Sequence, residues 1–208
     1  MKRIVSIALI VLLFAACVVL SVRLHKQYAA YRLLNEGMEQ LRNAHAALAV
    51  QETFRRDELS LNGSRMDMRS EISDVSGRTS ELGKTIMDDV LVFYFSEAHC
   101  NLCVDAELKN LNKVTDSIGG KHIVILLHAM NERYFRKFMV EKNLTGPVYK
   151  MRERPAPLAG LERPCYFILE KASGRMVSVF MPQKEDVPAT ESYLEQTRNK
   201  YFMLTEQE

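Results

Sequence analysis

Two cysteines three residues apart are the residues best suited to chemistry in this sequence. Cys100 and Cys103 lie in the stretch FSEAHCNLC, directly after the apolar run Val90 to Phe95. A pair with this spacing can form a redox couple, supply half of a metal site, or consist of two ordinary buried thiols. The elements on either side of the pair help to separate these alternatives.

The pair stands between a predicted buried strand and a predicted helix. Val90 to Phe95 is continuously apolar, which is typical of a strand covered on both faces. Apolar residues then recur at helical spacing from Leu102 to Ile118, and Gly119-Gly120 ends the helix. Cys100 is therefore expected near a helix N-terminus, where amide hydrogens and the helix dipole lower a thiol pKa from about 8.5. Cys103, one turn later, could then attack a mixed disulfide formed by Cys100.

The neighbouring segments predict a parallel sheet with helices packed on it, which is an α/β fold. In chain order they are a strand at His122 to Leu127, a helix capped by Asn131 that stops near Gly146, a strand at Val148 to Met151, a hairpin of Cys165 to Leu169 and Met176 to Phe180 at the sheet edge, and a helix near Ala189 to Leu204. Before this sheet, heptad spacing from Met68 to Ile86 favours a helix, whereas Gly77 and Gly83 interrupt it and favour turns with strand-like pieces and one short helical turn.

Composition and charge narrow the functional class. The 208 residues are 47% hydrophobic and 26% charged, which is typical of a folded domain of ordinary size with an appendage. A formal net charge of +2, with basic and acidic residues evenly mixed, argues against a nucleic-acid-binding surface. The four cysteines are too few for a small fold held by disulfides.

The appendage is N-terminal, where residues 1–24 predict a transmembrane signal anchor. Ile4 to Val22 carries no charge and is long enough, as a helix, to cross a hydrocarbon layer of about 30 Å. A cleaved signal peptide is one alternative, and a lipoprotein site at Cys17 is another. Lys2 and Arg3 favour a cytoplasmic start, so the rest of the chain is expected on the periplasmic or extracytoplasmic side.

Residues 25–60 predict a helical stalk, since they contain no proline and one glycine among strong helix formers. An apolar stripe at heptad spacing runs along this stalk and consists of Leu34, Met38, Leu41, His45 and Leu48. The stripe is short, so a simple amphipathic stalk and a stalk that also forms a homodimer are both open. Residues 61–208 then form the α/β domain.

The cysteine stretch and a later motif together resemble a known family. FSEAHCNLC after VLVFY, the downstream strand and helix, and Arg163-Pro164-Cys165 before a hairpin are similar to the thioredoxin superfamily, in particular its membrane-anchored TlpA-like branch. The resemblance covers roughly residues 70 to 205. It implies a thioredoxin-like sheet flanked by helices, a lead-in hairpin at residues 74–82, and a cis-proline at Pro164 that lies against the active cysteines and shapes the substrate groove.

Three further residues are candidates for tuning or shaping this site. His99 stands where the family usually has tryptophan, and it either tunes the Cys100 thiolate or faces solvent. Arg163 either contributes positive charge beside Pro164 or is an ordinary exposed residue. Cys165 is either a third redox thiol or a core residue. Zinc bound by His99, Cys165 and the cysteine pair is a further alternative, but a second spaced pair is missing and no metal is expected.

The sequence predicts a thiol-disulfide oxidoreductase of the cell envelope, with protein thiols or disulfides as partners and no cofactor. Asn101-Leu102 replaces the family's usual residue-proline pair between the cysteines, so reductase, oxidase and isomerase directions stay open. The alternative from another class is a non-catalytic interaction or redox-sensor module that acts through its stalk.

Overall fold

The computed structural model describes residues 2–142, 144, 146–184 and 186–203, without the side chains of residues 2–12, 15 and 16. Contacts divide the chain into two compact units, Met1–Thr53 and Phe54–Glu208. The second unit begins before residue 61 because Phe54 packs against its core. Glu58 also belongs to it, since its Oε1 accepts a hydrogen bond from the amide of Met181 at 2.8 Å.

The first unit is part of one helix, α1 (Lys2–Leu61). Within the part of the chain that the structure describes, no helix combines the length and the apolarity needed to span a bilayer. Positions 4–12, 15 and 16 of the predicted anchor lie outside the described side chains, so the anchor stays a prediction. The apolar stripe predicted on the stalk is exposed, and the homodimer also stays a prediction.

The second unit is built on one seven-stranded sheet. Its strands are β1 (Glu71–Ser73), β2 (Thr79–Glu81), β3 (Val90–Ser96), β4 (Ile123–His128), β5 (Val148–Met151), β6 (Cys165–Leu169) and β7 (Met176–Phe180). They lie in the order β2-β1-β5-β4-β3-β6-β7. β4 is parallel to β3 and to β5, whereas the other neighbouring strands are antiparallel. This arrangement confirms a thioredoxin-like α/β fold, with parallel strands at the centre and a hairpin at the edge.

Among the residues that the structure describes, three helices pack on one face of this sheet. The helices that follow α1 are α2 (Leu82–Thr85), α3 (Asn101–Ile118), α4 (Glu132–Glu141) and α5 (Val187–Tyr201). Leu108 of α3, Phe135 of α4 and Leu194 of α5 are buried in the same apolar cluster. The strands β3, β4 and β5 follow one another in one direction across the sheet, so right-handed crossovers bring α3 and α4 to the same face.

Short segments and the end of α1 cover the opposite face. Leu61 of α1, Leu82 of α2 and Leu161 of the β5–β6 connection are buried in a second cluster with the alternate residues of β3. Every residue of β3 is buried because each of its side chains enters one of these two clusters or the polar end of the strand. The predicted flanking of the sheet by helices is therefore confirmed, with the end of α1, α2 and the 3-10 turn Ala156–Leu158 of the β5–β6 connection on this second face.

The local signals of the sequence account for most element limits. Gly119 ends α3 with a φ of 86°, a conformation that glycine adopts readily. Asn131 caps α4 as predicted, since its Oδ1 accepts a hydrogen bond from the amide of Arg133 at 2.8 Å. The same helix was predicted to stop near Gly146, but it ends at Glu141 because the backbone of Lys142 is extended. Leu204, in the last predicted helix, lies outside the described residues.

Candidate active site

Cys100 is the N-cap residue of α3, and it is exposed. A tight turn after β3 brings it there, in which the amide of His99 donates to the carbonyl of Ser96 at 2.9 Å. The carbonyl of Cys100 then accepts hydrogen bonds from the amides of Cys103 and Val104, each at 3.1 Å, and so begins the helix. The structure thus places Cys100 at the helix N-terminus, where the sequence predicts it, and presents its sulfur to solvent.

The surroundings of Cys100 favour its thiolate. The thiol of Cys103 and the amide of the same residue donate hydrogen bonds to the Cys100 sulfur, and they are the main cause of a lowered pKa. Desolvation is the next largest effect and opposes them, and the amide of Leu102 and the charge of Lys184 lower the pKa by smaller amounts. A thiol whose anion is stabilised at an exposed helix start is a nucleophile.

Cys103 is half-buried, and its sulfur is not joined to that of Cys100 by a disulfide. It lies one turn along α3, close enough for its thiol to donate to the Cys100 sulfur. The two sulfurs therefore differ in access, because an incoming protein reaches Cys100 first. This arrangement can carry out thiol-disulfide exchange in two successive attacks.

His99 lies in the interior, where both of its ring nitrogens have partners. Nδ1 accepts a hydrogen bond from the amide of Ser96 at 3.2 Å, so Nε2 carries the proton and donates to the carbonyl of Leu161 at 3.2 Å. The ring is 5% exposed. Burial lowers the pKa of His99, and the charge of Arg154 lowers it further. The ring is thus a neutral group that ties the cysteine loop to the β5–β6 connection, and it does not face solvent.

A polar cluster beneath this loop was missed in the sequence. Ser96 ends β3 and His128 ends β4, and Arg154 follows β5. Arg154 donates from Nε to His128 Nδ1 at 3.3 Å and from Nη2 to Ser96 Oγ at 3.2 Å. Burial lowers the pKa of His128, and the Arg154 charge adds to this effect. The signal that could have found the cluster is positional, since polar residues at the carboxyl ends of parallel strands converge on one edge.

The hydroxyl of Tyr94 is buried beneath the same edge of the sheet. Within the described residues it has no hydrogen-bond partner. Burial raises the pKa of Tyr94 to about 12, so the phenol stays protonated at neutral pH. The Tyr94 and His99 rings meet edge to face with centroids 6.3 Å apart.

Arg163 and Pro164 precede β6 at the same end of the sheet as the cysteine loop. Tyr94 of β3 is paired with Cys165 of β6, so Pro164 lies one residue outside the paired part of these strands. The peptide bond before Pro164 is trans, which corrects the expected cis-proline; trans is the more stable form of such bonds by about 0.5–1 kcal/mol. The guanidinium of Arg163 stacks on the ring of Phe54, 4.0 Å from its centroid, so it is not an ordinary exposed charge.

Cys165 points away from the two other cysteines of the domain. Its side chain is buried in the apolar cluster that contains Tyr94, Val92 and Phe167. Burial raises the pKa of its thiol far above the usual range, which is the behaviour of a core residue. In the part of the chain described, no three His, Cys, Asp or Glu side chains are grouped so that they could hold a metal ion.

Comparison with known proteins found solved structures that are similar to this chain, but no matching family and no matching curated sequence. A protein from Chlorobium tepidum, proposed to be a thiol:disulfide interchange protein, is 14% identical over 66% of this chain and 99% of its own, with a TM-score of 0.49. The exposed lipoprotein thioredoxin of Streptococcus pneumoniae is 17% identical over 62% of this chain and 96% of its own, with a TM-score of 0.47. A thiol:disulfide interchange protein from a Bacteroides species is 16% identical over 71% and 97%, with a TM-score of 0.46.

Proposed function

We propose that this chain exchanges disulfides with protein thiols, with Cys100 as the nucleophile and Cys103 as the resolving thiol. The observation that carries the proposal is the state of Cys100, an exposed sulfur at the start of α3 whose thiolate accepts hydrogen bonds from a thiol and from amides. Two structural thiols of the core would both be buried, and their pKa values would be raised, as that of Cys165 is.

In the reducing direction, the Cys100 thiolate attacks one sulfur of a substrate disulfide. A bond forms between Cys100 and that sulfur, the substrate disulfide bond breaks, and the second substrate sulfur leaves as a thiolate that takes up a proton. The hydrogen bond from Cys103 to the Cys100 anion is lost at this step, because the anion no longer exists.

Cys103 completes the exchange. Its thiol loses its proton and attacks the Cys100 sulfur, and the first substrate sulfur leaves as a thiolate that is then protonated. The substrate has gained two electrons and two protons, and the chain holds a disulfide between Cys100 and Cys103. A dithiol of another protein restores the pair, and the reverse sequence of steps oxidises a substrate dithiol.

The substrate backbone is proposed to lie beside Pro164, between the start of β6 and the cysteine loop. The support for this is position, since Pro164 directly precedes β6 at the end of the sheet where Cys100 is exposed. Arg163 helps to fix this edge because its guanidinium is stacked on Phe54.

The experiment that tests the exchange is capture of its covalent intermediate. In Cys103→Ala the mixed disulfide on Cys100 cannot be resolved, so a protein substrate should stay attached and be released by dithiothreitol. The variant also loses the thiol donor to Cys100, so capture should improve as the pH is raised. Cys165→Ala is the matched control and should capture nothing. The proposal is wrong if Cys103→Ala forms no adduct and the native pair shows no reversible two-electron couple.

Membrane attachment through residues 4–22, with the domain on the extracytoplasmic side, is a separate part of the proposal. Its support is the uncharged run Ile4 to Val22 after Lys2 and Arg3. A maleimide that does not cross membranes should label Cys100 in intact cells, and Cys100→Ser should abolish the labelling. Labelling of Cys100 only after lysis would contradict this orientation.

The alternative, a non-catalytic role through the stalk, differs from the exchange function in the variants that should abolish the biological role. If the chain acts as an exchange protein, replacing Cys100 and Cys103 together by serine abolishes its biological role. If it acts as an interaction module, that double variant keeps the role, and charged residues at Leu34, Met38 and Leu41 abolish it.

A further inference from the structure

We infer that Arg154 is a positioning residue for polypeptide substrates, because its guanidinium sets where the β5–β6 connection lies against the cysteine loop. This inference rests on the proposed exchange function and on the groove proposed beside Pro164. One side of that groove is the cysteine loop, residues 97–100, and the other is the end of the connection, residues 152–164. A residue that fixes the two sides relative to each other determines how a bound polypeptide meets the Cys100 sulfur.

The guanidinium of Arg154 makes hydrogen bonds to three different segments. Its Nε donates to Nδ1 of His128 at 3.3 Å, and its Nη2 donates to Oγ of Ser96 at 3.2 Å. Its Nη1 donates to the carbonyl of Ala159 at 3.3 Å, within the connection itself. A planar guanidinium can donate in three directions from three nitrogens, whereas a lysine donates from a single nitrogen. Arg154 therefore joins both halves of the connection to the ends of β3 and β4.

Ser96, one of these three partners, is also the residue from which the cysteine loop turns. Its Oγ accepts a second hydrogen bond from the amide of Ala98 at 3.3 Å, and its carbonyl accepts one from the amide of His99 at 2.9 Å. Ser96 is 1% exposed, so water does not compete for these bonds. The bond from Arg154 thus attaches the connection to the backbone that leads directly into Cys100.

The connection is attached to the cysteine loop a second time, nearer to the groove. Nε2 of His99 donates to the carbonyl of Leu161 at 3.2 Å, a short distance before Pro164 in the chain. The structure describes all of residues 152–164, and their backbone is irregular except for the 3-10 turn Ala156–Leu158. Side-chain hydrogen bonds, rather than strand pairing, therefore set the position of the connection over the end of the sheet.

Loss of the guanidinium should shift the connection without unfolding it. Leu158 and Leu161 are buried, at 0% and 7% exposure, in the apolar cluster on the second face of the sheet. These two anchors remain when Arg154 is replaced, so the connection stays on the sheet. Its position beside the cysteine loop then depends on the bond from His99 to Leu161, and the groove becomes less precisely formed.

The test compares insulin, a polypeptide with disulfides, with cystamine, a small disulfide that has no backbone to lie in the groove. In single turnovers of the full, reduced chain, Arg154→Ala should raise the half-saturating concentration of insulin about tenfold and change the maximal rate little, because binding in the groove is weakened. The rate with cystamine should stay near the native value, since the thiolate of Cys100 is stabilised by Cys103 and by amides of α3.

Two control variants separate the position of the guanidinium from its charge. Arg154→Lys keeps the positive charge but loses the planar fork, so it should weaken the reduction of insulin as Arg154→Ala does. Arg152→Ala removes a positive charge from the same connection, where the side chain of Arg152 is exposed, and should leave the rates with insulin and cystamine at their native values.

Several results would overturn the inference and leave the exchange function in place, because the native chain still reduces cystamine. Equal losses of rate with insulin and with cystamine in Arg154→Ala would show that Arg154 acts on the thiols themselves. An unchanged rate with insulin, or an equal loss in Arg152→Ala, would show that the guanidinium does not position the groove. A native chain that reduces cystamine but not insulin would show that no polypeptide groove is in use. If the native chain reduces neither disulfide, the proposed function fails, and this inference fails with it.

Discussion

Two buried imidazoles should make the domain sensitive to mild acid. His99 and His128 are 5% and 7% exposed, and each is neutral in the folded chain. The nitrogen that would take up a proton already accepts a hydrogen bond, from the Ser96 amide in His99 and from the Arg154 guanidinium in His128. Protonation therefore breaks these bonds and places a second positive charge near Arg154.

The sign and the size of the effect follow from proton linkage. Both pKa values are lowered in the folded chain from the ordinary value of 6.5, so above that pH the stability is fully present. As the pH falls below 6.5, the unfolded chain binds protons that the folded chain excludes, and stability is lost until the lowered folded pKa is reached. The loss is at most about 1.4 kcal/mol per pH unit for each imidazole, or about 2.8 kcal/mol per pH unit for both. This is a large share of the 5–15 kcal/mol, roughly, that holds a typical domain together.

Urea unfolding of the full chain at several pH values between about 8 and 5 measures this slope. His99→Gln and His128→Gln should each lower the dependence of the unfolding free energy on pH by the equivalent of up to one proton. His45→Gln, an exposed change on α1, should leave this dependence unaltered. The folded pKa values of Glu58 and Glu107 are raised by burial, so these carboxyls oppose the slope, and the difference between variant and native chains isolates the histidines. A slope that neither His99→Gln nor His128→Gln changes would refute the assignment of buried, neutral rings.

Three further predictions follow from particular contacts. Lys184→Glu should raise the pKa of the Cys100 thiol, as measured from thiolate absorbance, because the lysine charge lowers this pKa in the native chain. Lys121→Glu, in the 3-10 turn after the C-terminal end of α3, should have no such effect. Cys165→Ser should cost about 1–3 kcal/mol of unfolding free energy, since a hydroxyl would be buried in an apolar cluster. The reduction potential of the Cys100 and Cys103 pair should stay the same in this variant, and a third reactive thiol in the folded native chain would contradict this prediction. Gly174→Ala should lower the unfolding free energy measured in urea by about 1–2 kcal/mol more than Gly77→Ala does. Both glycines have positive φ, but only the new Cβ at Gly174 would lie 3.0 Å from the carbonyl oxygen of Met66. Equal losses of unfolding free energy would show that this contact relaxes freely.

The strands and helices of the domain could be predicted because each has a local signal. Val90 to Phe95 is apolar at every position, and the structure buries it between two clusters. Asn131 and Gly119 mark a helix start and a helix end by their own backbone and side-chain chemistry. The place of Cys100 at a helix start also follows from order along the chain, since a predicted strand precedes it and a predicted helix follows it.

The parts that could not be predicted depend on contacts between distant segments. His99 has partners in Ser96 and Leu161, and no local pattern shows that a loop 62 residues away supplies a carbonyl to its ring. Arg154 lies in an irregular connection with no periodicity, although it joins the ends of β3 and β4. The resemblance to a family implied a cis bond at Pro164, but that bond depends on the local packing of this chain and is trans.

The end of α1 also determines where the domain can be cut for work in solution. Phe54 lies under the guanidinium of Arg163, which precedes β6, and Glu58 accepts the amide hydrogen of Met181, which follows β7. Both residues of α1 therefore fix segments at the ends of these two strands. A recombinant fragment that starts at residue 61 would leave the guanidinium and the amide without these partners, and a potential measured on it would describe an altered site. A fragment that starts before Phe54 keeps both contacts and is the shorter form in which the chemistry of Cys100 can be compared with that of the full chain.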